Sequence, residues 1–145
     1  MARVVIIYHT LTGNTEEMAK AVAEGASSVS GTEVRVKNAL EATLDDLLGS
    51  DAVAFGSAEY FAYMAGALKD FFDRNLASSA GKATGKQYAA FGSSGRGGTK
   101  ALESIDLCAG AFGLKKATGG VVATGKPSPE ILQQCKDLGI KLASG

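Results

Sequence analysis

A short apolar run that leads through a polar turn into a helix constrains the fold of this chain most strongly. The run is Arg3–Tyr8 (RVVIIY), the turn is 9–15 (HTLTGNT), and a helical pattern continues from Glu16. Further apolar strands alternate with helical patterns along the rest of the 145 residues. This alternation is typical of a parallel sheet, in which a helix crosses over between successive strands. The chain is therefore expected to be an α/β protein.

The turn itself has the composition of an anion site. Residues 10–15 (TLTGNT) combine hydroxyl groups with one glycine, and residues 5–17 contain no Lys or Arg. Free N–H groups at a helix N-terminus and the positive end of the helix dipole can hold a phosphate monoester without a cation. The alternative is an ordinary turn in which Asn14 or Thr12 caps the helix, with Glu17 as the capping-box partner of Asn14.

Residues 10–15 match the pattern T/S-x-T-G-x-T, and here the chain resembles the flavodoxins. In that family this loop binds the phosphate of FMN between the first strand and the first helix. The resemblance implies FMN as the cofactor. The residues implied to bind its phosphate are Thr10, Leu11, Thr12, Gly13, Asn14 and Thr15.

The resemblance also implies a flavodoxin-like three-layer fold, with five parallel strands in the order 2-1-3-4-5 and helices on both faces. The predicted strands are 3–8, 32–37, 51–56, 87–92 and 118–123, and the predicted helices are 14–28, 42–49, 66–77, 99–112 and one from Pro129. Thr43 and Ser128 are expected to cap their helices, and Val34, Val36 and Leu76 are expected to face the core. Ligands of such sheets bind beyond the strand ends where the strand order reverses. The segments 9–15, 57–66 and 93–98 should meet there.

The second of these segments, predicted to be a loop, is unusually aromatic. Exposed aromatic side chains lower solubility unless they cover something flat, as the flavin ring is. Residues 56–73 resemble the G-[ST]-x-x-x-F-x-x-M-x-G-x-x-K-x-F-x-D segment of the WrbA-type quinone reductases and their flavodoxin-like relatives. The flavin-binding residues implied in this segment are Ser57, Ala58, Glu59, Tyr60 and Phe61. The alternative is that Phe61 and Met64 pack under the following helix as core.

The third segment begins a glycine-rich turn, 93–98 (SSGRGG). By the same resemblance, Ser93, Ser94 and Gly95 would bind the pyrimidine side of the flavin through backbone groups, with Arg96 beside them. A cation at that end of the ring would raise the potential of the fully reduced couple. Arg96 pointing into solvent is the alternative.

The sequence lacks residues that three other kinds of site require: a nucleotide-hydrolase phosphate loop, a nicotinamide-binding loop, and a metal site or catalytic triad. Residues 92–99 have the glycine spacing of a nucleotide-hydrolase phosphate loop, but Gly98 stands where the lysine is needed. No GxGxxG sequence follows the first strand, so the nicotinamide-binding fingerprint is missing. His9 is the single histidine and cannot by itself define a metal site or a triad, although it could donate to the phosphate or lie exposed. No metal site is expected.

Charge and composition limit the partners. The net charge is zero, which predicts no general attraction to nucleic acid or to a membrane. Residues 1–75 carry 11 acidic and 6 basic side chains, whereas residues 76–145 carry 4 acidic and 9 basic ones. This asymmetry could orient a charged redox partner, or the two halves could simply be solvated surfaces.

The chain also lacks the apolar runs of a signal peptide or a membrane span, so a cytoplasmic protein is expected. Its length fits one flavodoxin-like FMN-binding domain over 1–145. Cys108 and Cys135 have neither zinc-site nor redox-motif spacing and are expected to be small core side chains.

Two functions fit the resemblance. The first is a low-potential carrier that passes single electrons between a reductase and an acceptor protein, as a monomer or, alternatively, a dimer. The second is an FMN enzyme that takes hydride from NADH or NADPH and reduces a quinone or free flavin. A flavin-free interaction module on the same fold is a third hypothesis.

Overall fold

The computed structural model describes residues 2–145 as a parallel sheet whose strands alternate with helices. The strands are β1 (Arg3–Tyr8), β2 (Glu33–Asn38), β3 (Ala52–Gly56), β4 (Glu59–Tyr60), β5 (Tyr63–Met64), β6 (Gln87–Ser94), β7 (Lys115–Lys116) and β8 (Val121–Thr124). The helices are α1 (Asn14–Ser27), α2 (Leu44–Leu48), α3 (Gly66–Ser79), α4 (Lys100–Ala111) and α5 (Pro129–Ser144).

The central sheet runs β2-β1-β3-β6, and both β7 and β8 then pair with β6. Each of these pairings is parallel. Because β7 lies beside the start of β6 and β8 beside its end, they occupy one position in the sheet. The predicted order 2-1-3-4-5 is thus confirmed, with the fifth strand interrupted at 117–120.

The interruption explains why the predicted strand 118–123 is misplaced. The strand proper begins only at Val121. At Gly120 the backbone passes so close to Leu102 and to the Ala90 carbonyl that an added Cβ would overlap them. This close approach favours glycine.

Two apolar cores cover the two faces of the sheet. On one face α2, α3 and α4 pack on strand residues such as Phe55, whose ring centroid lies 4.8 Å from that of Phe72. On the other face α1 and α5 pack on residues such as Ile6 and Phe91. Helices on both sides of a parallel sheet confirm the three-layer fold class.

Several side-chain predictions can be checked directly. Thr43 caps α2 in a reciprocal box with Asp46, and the Ser128 hydroxyl accepts from Ile131 N–H at the start of α5. Val36 and Leu76, however, are each 45% exposed, so their predicted burial is wrong. Val36 lies on the edge strand β2, and Leu76 lies near the end of α3. Within residues 2–145, no helix has the length and hydropathy of a membrane span.

The cysteine prediction holds for one of the two residues. Cys135 is buried in the core under α5, and burial raises the pKa of its thiol to about 12. Cys108 is only half-buried, because it lies at the margin of the other core beside Tyr63. Neither sulfur takes part in a disulfide.

The chain changes faces between β1 and β3, which sets the position of the site. Helix α1 follows β1 on one face of the sheet, whereas α2 precedes β3 on the other. Beyond the strand ends, His9 N–H donates to the Gly56 carbonyl at 3.1 Å, and Ser57 N–H donates to the Phe91 carbonyl at 3.1 Å. The segments that follow β1, β3 and β6 therefore lie side by side at the carboxyl edge.

Candidate functional site

The loop after β1 ends in a helix start whose amide groups are open. Gly13 is the N-cap of α1, with φ at 97°, and no side chain of the described residues 2–145 caps the helix. The Thr10 hydroxyl accepts instead from Gly13 N–H at 2.9 Å, which folds the loop back on itself. The N–H groups of Asn14, Thr15 and Glu16 have no acceptor within residues 2–145. The interpretation as an ordinary turn capped by Thr12 or Asn14 is therefore wrong.

The predicted loop after β3 is a β-hairpin. Strands β4 and β5 pair antiparallel, with Tyr60 opposite Tyr63. The two residues between them, Phe61 and Ala62, have φ values of 53° and 59°. Positive φ at both central positions defines a type I′ turn, which normally contains Asn or Gly. Left-handed φ at each of these two residues costs on the order of 1 kcal/mol.

The hairpin resolves the two alternatives for its apolar side chains. Met64 is 3% exposed and belongs to the core under α4, so the core interpretation is correct for this residue. Phe61 is fully exposed at the tip of the turn, so the core interpretation is wrong there. A strained turn thus holds a bare phenyl ring at the carboxyl edge of the sheet.

Side chains fasten the hairpin to its neighbours. The Glu59 carboxylate accepts from Lys100 N–H at 2.9 Å and from Ala101 N–H at 3.3 Å, and so caps α4. Met64 N–H donates to the Ser104 hydroxyl at 3.0 Å. At the base of the hairpin, the Ser57 hydroxyl accepts from Ala65 N–H at 2.8 Å. Because the Glu59 carboxylate is used in hydrogen bonds to α4, only the backbone of Glu59 is left to contact a ligand.

The turn after β6 is organised around one serine. The Ser94 hydroxyl accepts from Gly98 N–H at 3.1 Å, and the Ser94 carbonyl accepts from Gly125 N–H at 3.0 Å. Ser93 and Ser94 are buried, whereas Gly95 and Arg96 are exposed. The Arg96 side chain forms no ion pair within residues 2–145, so it is free to turn toward a ligand or toward solvent.

Neutral aromatic groups flank this edge of the sheet. Burial raises the pKa of Tyr60, and burial together with the nearby Glu16 carboxylate raises the pKa of Tyr8 at the end of β1. Both phenols therefore remain protonated and uncharged at neutral pH. The His9 ring is half-buried rather than exposed, and its Nδ1 is buried without a hydrogen-bond partner within residues 2–145.

A lysine that the sequence analysis missed reaches the first loop. A cleft of about 390 Å³ is lined by Thr12, Gly13, Asn14, Glu17 and Lys126. Lys126 comes from the segment between β8 and α5, far along the chain from the other lining residues. Its position could be predicted only from the strand order, because the segment after the last strand also lies at the carboxyl edge of the sheet.

The opposite edge of the sheet carries a smaller cavity of about 150 Å³ with charged walls. Within residues 2–145, all of its charged side chains except Asp45 form ion pairs. Arg3 lies 3.6 Å from Glu33, and Arg35 lies 3.9 Å from Asp46. This cavity is therefore a network of ion pairs rather than a candidate ligand site.

Comparison with known proteins decides the family. A sequence model of the flavodoxins matches residues 6–139. The chain is 41% identical to a flavodoxin of Aquifex aeolicus (strain VF5), over 99% of this chain and 86% of that protein. The chain belongs to the flavodoxin family. Flavodoxins bind FMN and transfer electrons to redox partner proteins, so the FMN and carrier predictions are confirmed.

Solved structures agree with this assignment. A flavodoxin from the domain Archaea superposes with a TM-score of 0.85 at 31% identity, covering 98% of this chain and 96% of that one. A WrbA-like flavodoxin from Agrobacterium tumefaciens superposes with a TM-score of 0.83, covering 99% and 96%. Because its identity is only 24%, this second structure supports the shared fold and no particular activity.

Proposed function

We propose that this flavodoxin holds FMN between the ends of β1, β3 and β6 and passes single electrons at low potential between a reductase and an acceptor protein. The observation that carries the proposal is the set of unpartnered N–H groups at the start of α1, on residues 14–16. Three parallel donors at the positive end of a helix dipole are a strong phosphate site.

The phosphate group fits the loop in size and chemistry. Gly13 adopts a left-handed conformation, and the space beside its Cα is open, so the backbone can approach an anion closely. The hydroxyls of Thr10 and Thr12 belong to the same turn and can donate to phosphate oxygens, while Thr15, whose buried hydroxyl bonds to Ser93, offers its backbone N–H. The proposed phosphate-binding residues are Thr10, Leu11, Thr12, Gly13, Asn14 and Thr15.

The flavin ring fits between the hairpin and the turn after β6. Tyr60 and the exposed Phe61 offer flat faces for stacking, while Ser57, Ala58 and Glu59 contribute backbone groups. On the other side of the ring, Ser93, Ser94, Gly95 and Arg96 would bind the pyrimidine edge. This arrangement explains why a strained turn exposes the Phe61 side chain to solvent, since the ring of a bound flavin would cover it.

When bound, FMN supplies the redox chemistry, and the chain sets the conditions for it. Uncharged aromatic surroundings disfavour the negative charge that accompanies reduction, which lowers the potential. The neutral Tyr60 phenol and the Phe61 ring provide such surroundings.

The charge asymmetry supports a docking face for protein partners. The acidic half of the sequence supplies β2, β1 and β3 on one side of the sheet, and the basic half supplies β6, β7 and β8 on the other. The site lies between them, so an approaching partner meets charge of both signs around it. A monomeric state, a cytoplasmic location and a single FMN domain over 1–145 remain predictions.

The experiment is an anaerobic potentiometric titration of the FMN-loaded chain, with free FMN in the same buffer as the control. A carrier takes up its two electrons in two well-separated one-electron steps. A single two-electron step, together with rapid NADH or NADPH oxidation in the presence of a quinone, would contradict the proposal and favour the reductase.

A further inference from the structure

We infer that the Lys126 side chain, which lies outside the phosphate loop, places a positive charge next to the FMN phosphate. The phosphate is then bound by this charge as well as by the N–H groups and the dipole of α1. The inference rests on the proposed FMN site and deepens it. It assigns a ligand-binding role to a side chain from the opposite half of the sequence.

The geometry begins with a shared cleft. The same depression of about 390 Å³ is lined by Lys126 and by Thr12, Gly13 and Asn14 of the phosphate loop. An anion held by the first turn of α1 therefore lies next to a space that the Lys126 side chain also borders. The remaining lining residue, Glu17, is acidic and does not supply an attraction to phosphate.

The backbone on both sides of Lys126 is fixed, which fixes where its side chain starts. Gly125 N–H donates to the Ser94 carbonyl at 3.0 Å, and Gly125 itself has φ at 66°. Pro127 is buried, and the Ser128 hydroxyl caps α5 by accepting from Ile131 N–H at 3.2 Å. The segment thus ties the turn after β6 to α5 and holds Lys126 beside the start of α1.

The local charges make such a cation useful. Glu16 and Glu17 lie in the first turn of α1, and no Lys or Arg occurs in residues 5–17. A phosphate monoester carries a charge of about −1.5 to −2 at pH 7, so these carboxylates repel it. Lys20 lies 3.9 Å from the Glu16 carboxylate and so offsets only that residue. Lys126 is the lysine that borders the loop itself.

Lys126 is also available for this role. Its side chain is exposed and forms no ion pair with a carboxylate within residues 2–145, unlike Lys136 of α5, which lies 3.4 Å from Glu24. A flexible, unpaired ammonium can move toward a bound anion without first breaking another contact. Because the group is exposed, water and salt screen its attraction, and the effect on affinity is moderate.

The experiment compares two ligands on flavin-free protein. FMN and riboflavin share the ring, but only FMN has the phosphate, so riboflavin isolates the rest of the site. Dissociation constants are measured by quenching of flavin fluorescence for the wild type, Lys126→Gln and Lys82→Gln. Lys82, exposed in the connection between α3 and β6, is the matched control for the loss of one positive charge.

Lys126→Gln should weaken FMN binding roughly threefold to tenfold, as expected for one screened charge near a phosphate. Riboflavin binding and the Lys82→Gln variant should stay at wild-type values. The loss should shrink as the NaCl concentration rises, and Lys126→Glu should give a larger loss than Lys126→Gln.

Three results would overturn the inference. Unchanged FMN affinity in Lys126→Gln would show that the charge does not act on the phosphate. An equal loss for FMN and riboflavin would show that Lys126 only supports the shape of the site. A wild-type chain that binds neither flavin would remove the proposed FMN site itself, which distinguishes that failure from the other two.

Discussion

The Thr15 hydroxyl lies 3.3 Å from the Ser93 hydroxyl, and both side chains are buried. Thr15 belongs to the first turn of α1, and Ser93 lies near the end of β6. This hydrogen bond joins the proposed phosphate loop directly to the segment proposed to hold the pyrimidine edge of the flavin. The two ends of the site are therefore fixed relative to each other before a ligand binds.

Replacing Thr15 with Val keeps the shape of the side chain but leaves the Ser93 hydroxyl without its partner. We expect a loss of about 1–2 kcal/mol in the free energy of unfolding of the flavin-free protein. Urea denaturation measures it. A Thr15→Val/Ser93→Ala double variant should recover part of the loss, because no buried hydroxyl is then orphaned. A Thr15→Val variant as stable as the wild type would contradict the role given to this bond.

The left-handed turn of the hairpin should be relieved by glycine. Ala62→Gly removes the Cβ that makes φ at 59° unfavourable, so we expect the flavin-free protein to gain about 1 kcal/mol. The exposed Ala77 in α3 is the matched control, since Ala77→Gly should lose up to about 1 kcal/mol of stability. Thermal unfolding distinguishes the two. A destabilised Ala62→Gly variant would mean that the turn is not strained.

The carboxylate of Glu59 should stabilise both the hairpin and α4. Glu59→Ala leaves the N–H groups of Lys100 and Ala101 without their acceptor, at an expected cost of about 1–2 kcal/mol in unfolding free energy. Glu59→Gln retains an acceptor and should cost less. Removing the exposed Glu41 carboxylate, in Glu41→Ala, controls for the change in net charge. Equal stability of Glu59→Ala and Glu41→Ala would rule out the cap.

The contact between α1 and α5 depends on the absence of side chains. A Cβ added at Gly25 would overlap the carbonyl of Lys136, so Gly25→Ala should destabilise the protein by about 1–3 kcal/mol. Gly110, in the last turn of α4, has open space beside it, and Gly110→Ala should instead stabilise the protein by about 0.5 kcal/mol. Similar effects of the two substitutions on urea denaturation would contradict the close packing of these helices.

Much of the fold could be predicted because its signals are local. The strand Arg3–Tyr8, the open loop after it and the cap at Thr43 depend on residues adjacent in sequence. The alternation of strands and helices then limits the sheet to few topologies. The family resemblance at residues 10–15 and 56–73 identified the cofactor for the same reason, since each motif is one continuous segment.

The remainder depends on contacts between distant segments. The hairpin was missed because Phe61 and Ala62 violate the usual chemistry of a type I′ turn. The last strand begins only after Gly120, where the backbone lies against Leu102 of another element. Lys126 borders the phosphate loop because the segment after β8 lies at the same edge of the sheet. None of these three features has a signal in its own local sequence.

Amide chemical shifts recorded during an FMN titration of the ¹⁵N-labelled, flavin-free protein show directly whether FMN binds between the ends of β1, β3 and β6, with its phosphate at the start of α1. We expect the largest changes at residues 12–16, 57–62 and 93–96, with the amides of Asn14, Thr15 and Glu16 moved by hydrogen bonds to phosphate. Riboflavin should reproduce the changes in the second and third segments and leave residues 14–16 nearly unmoved. Changes centred on the charged cavity at Arg3 and Asp46, or none at residues 12–16, would show that FMN does not bind at this site.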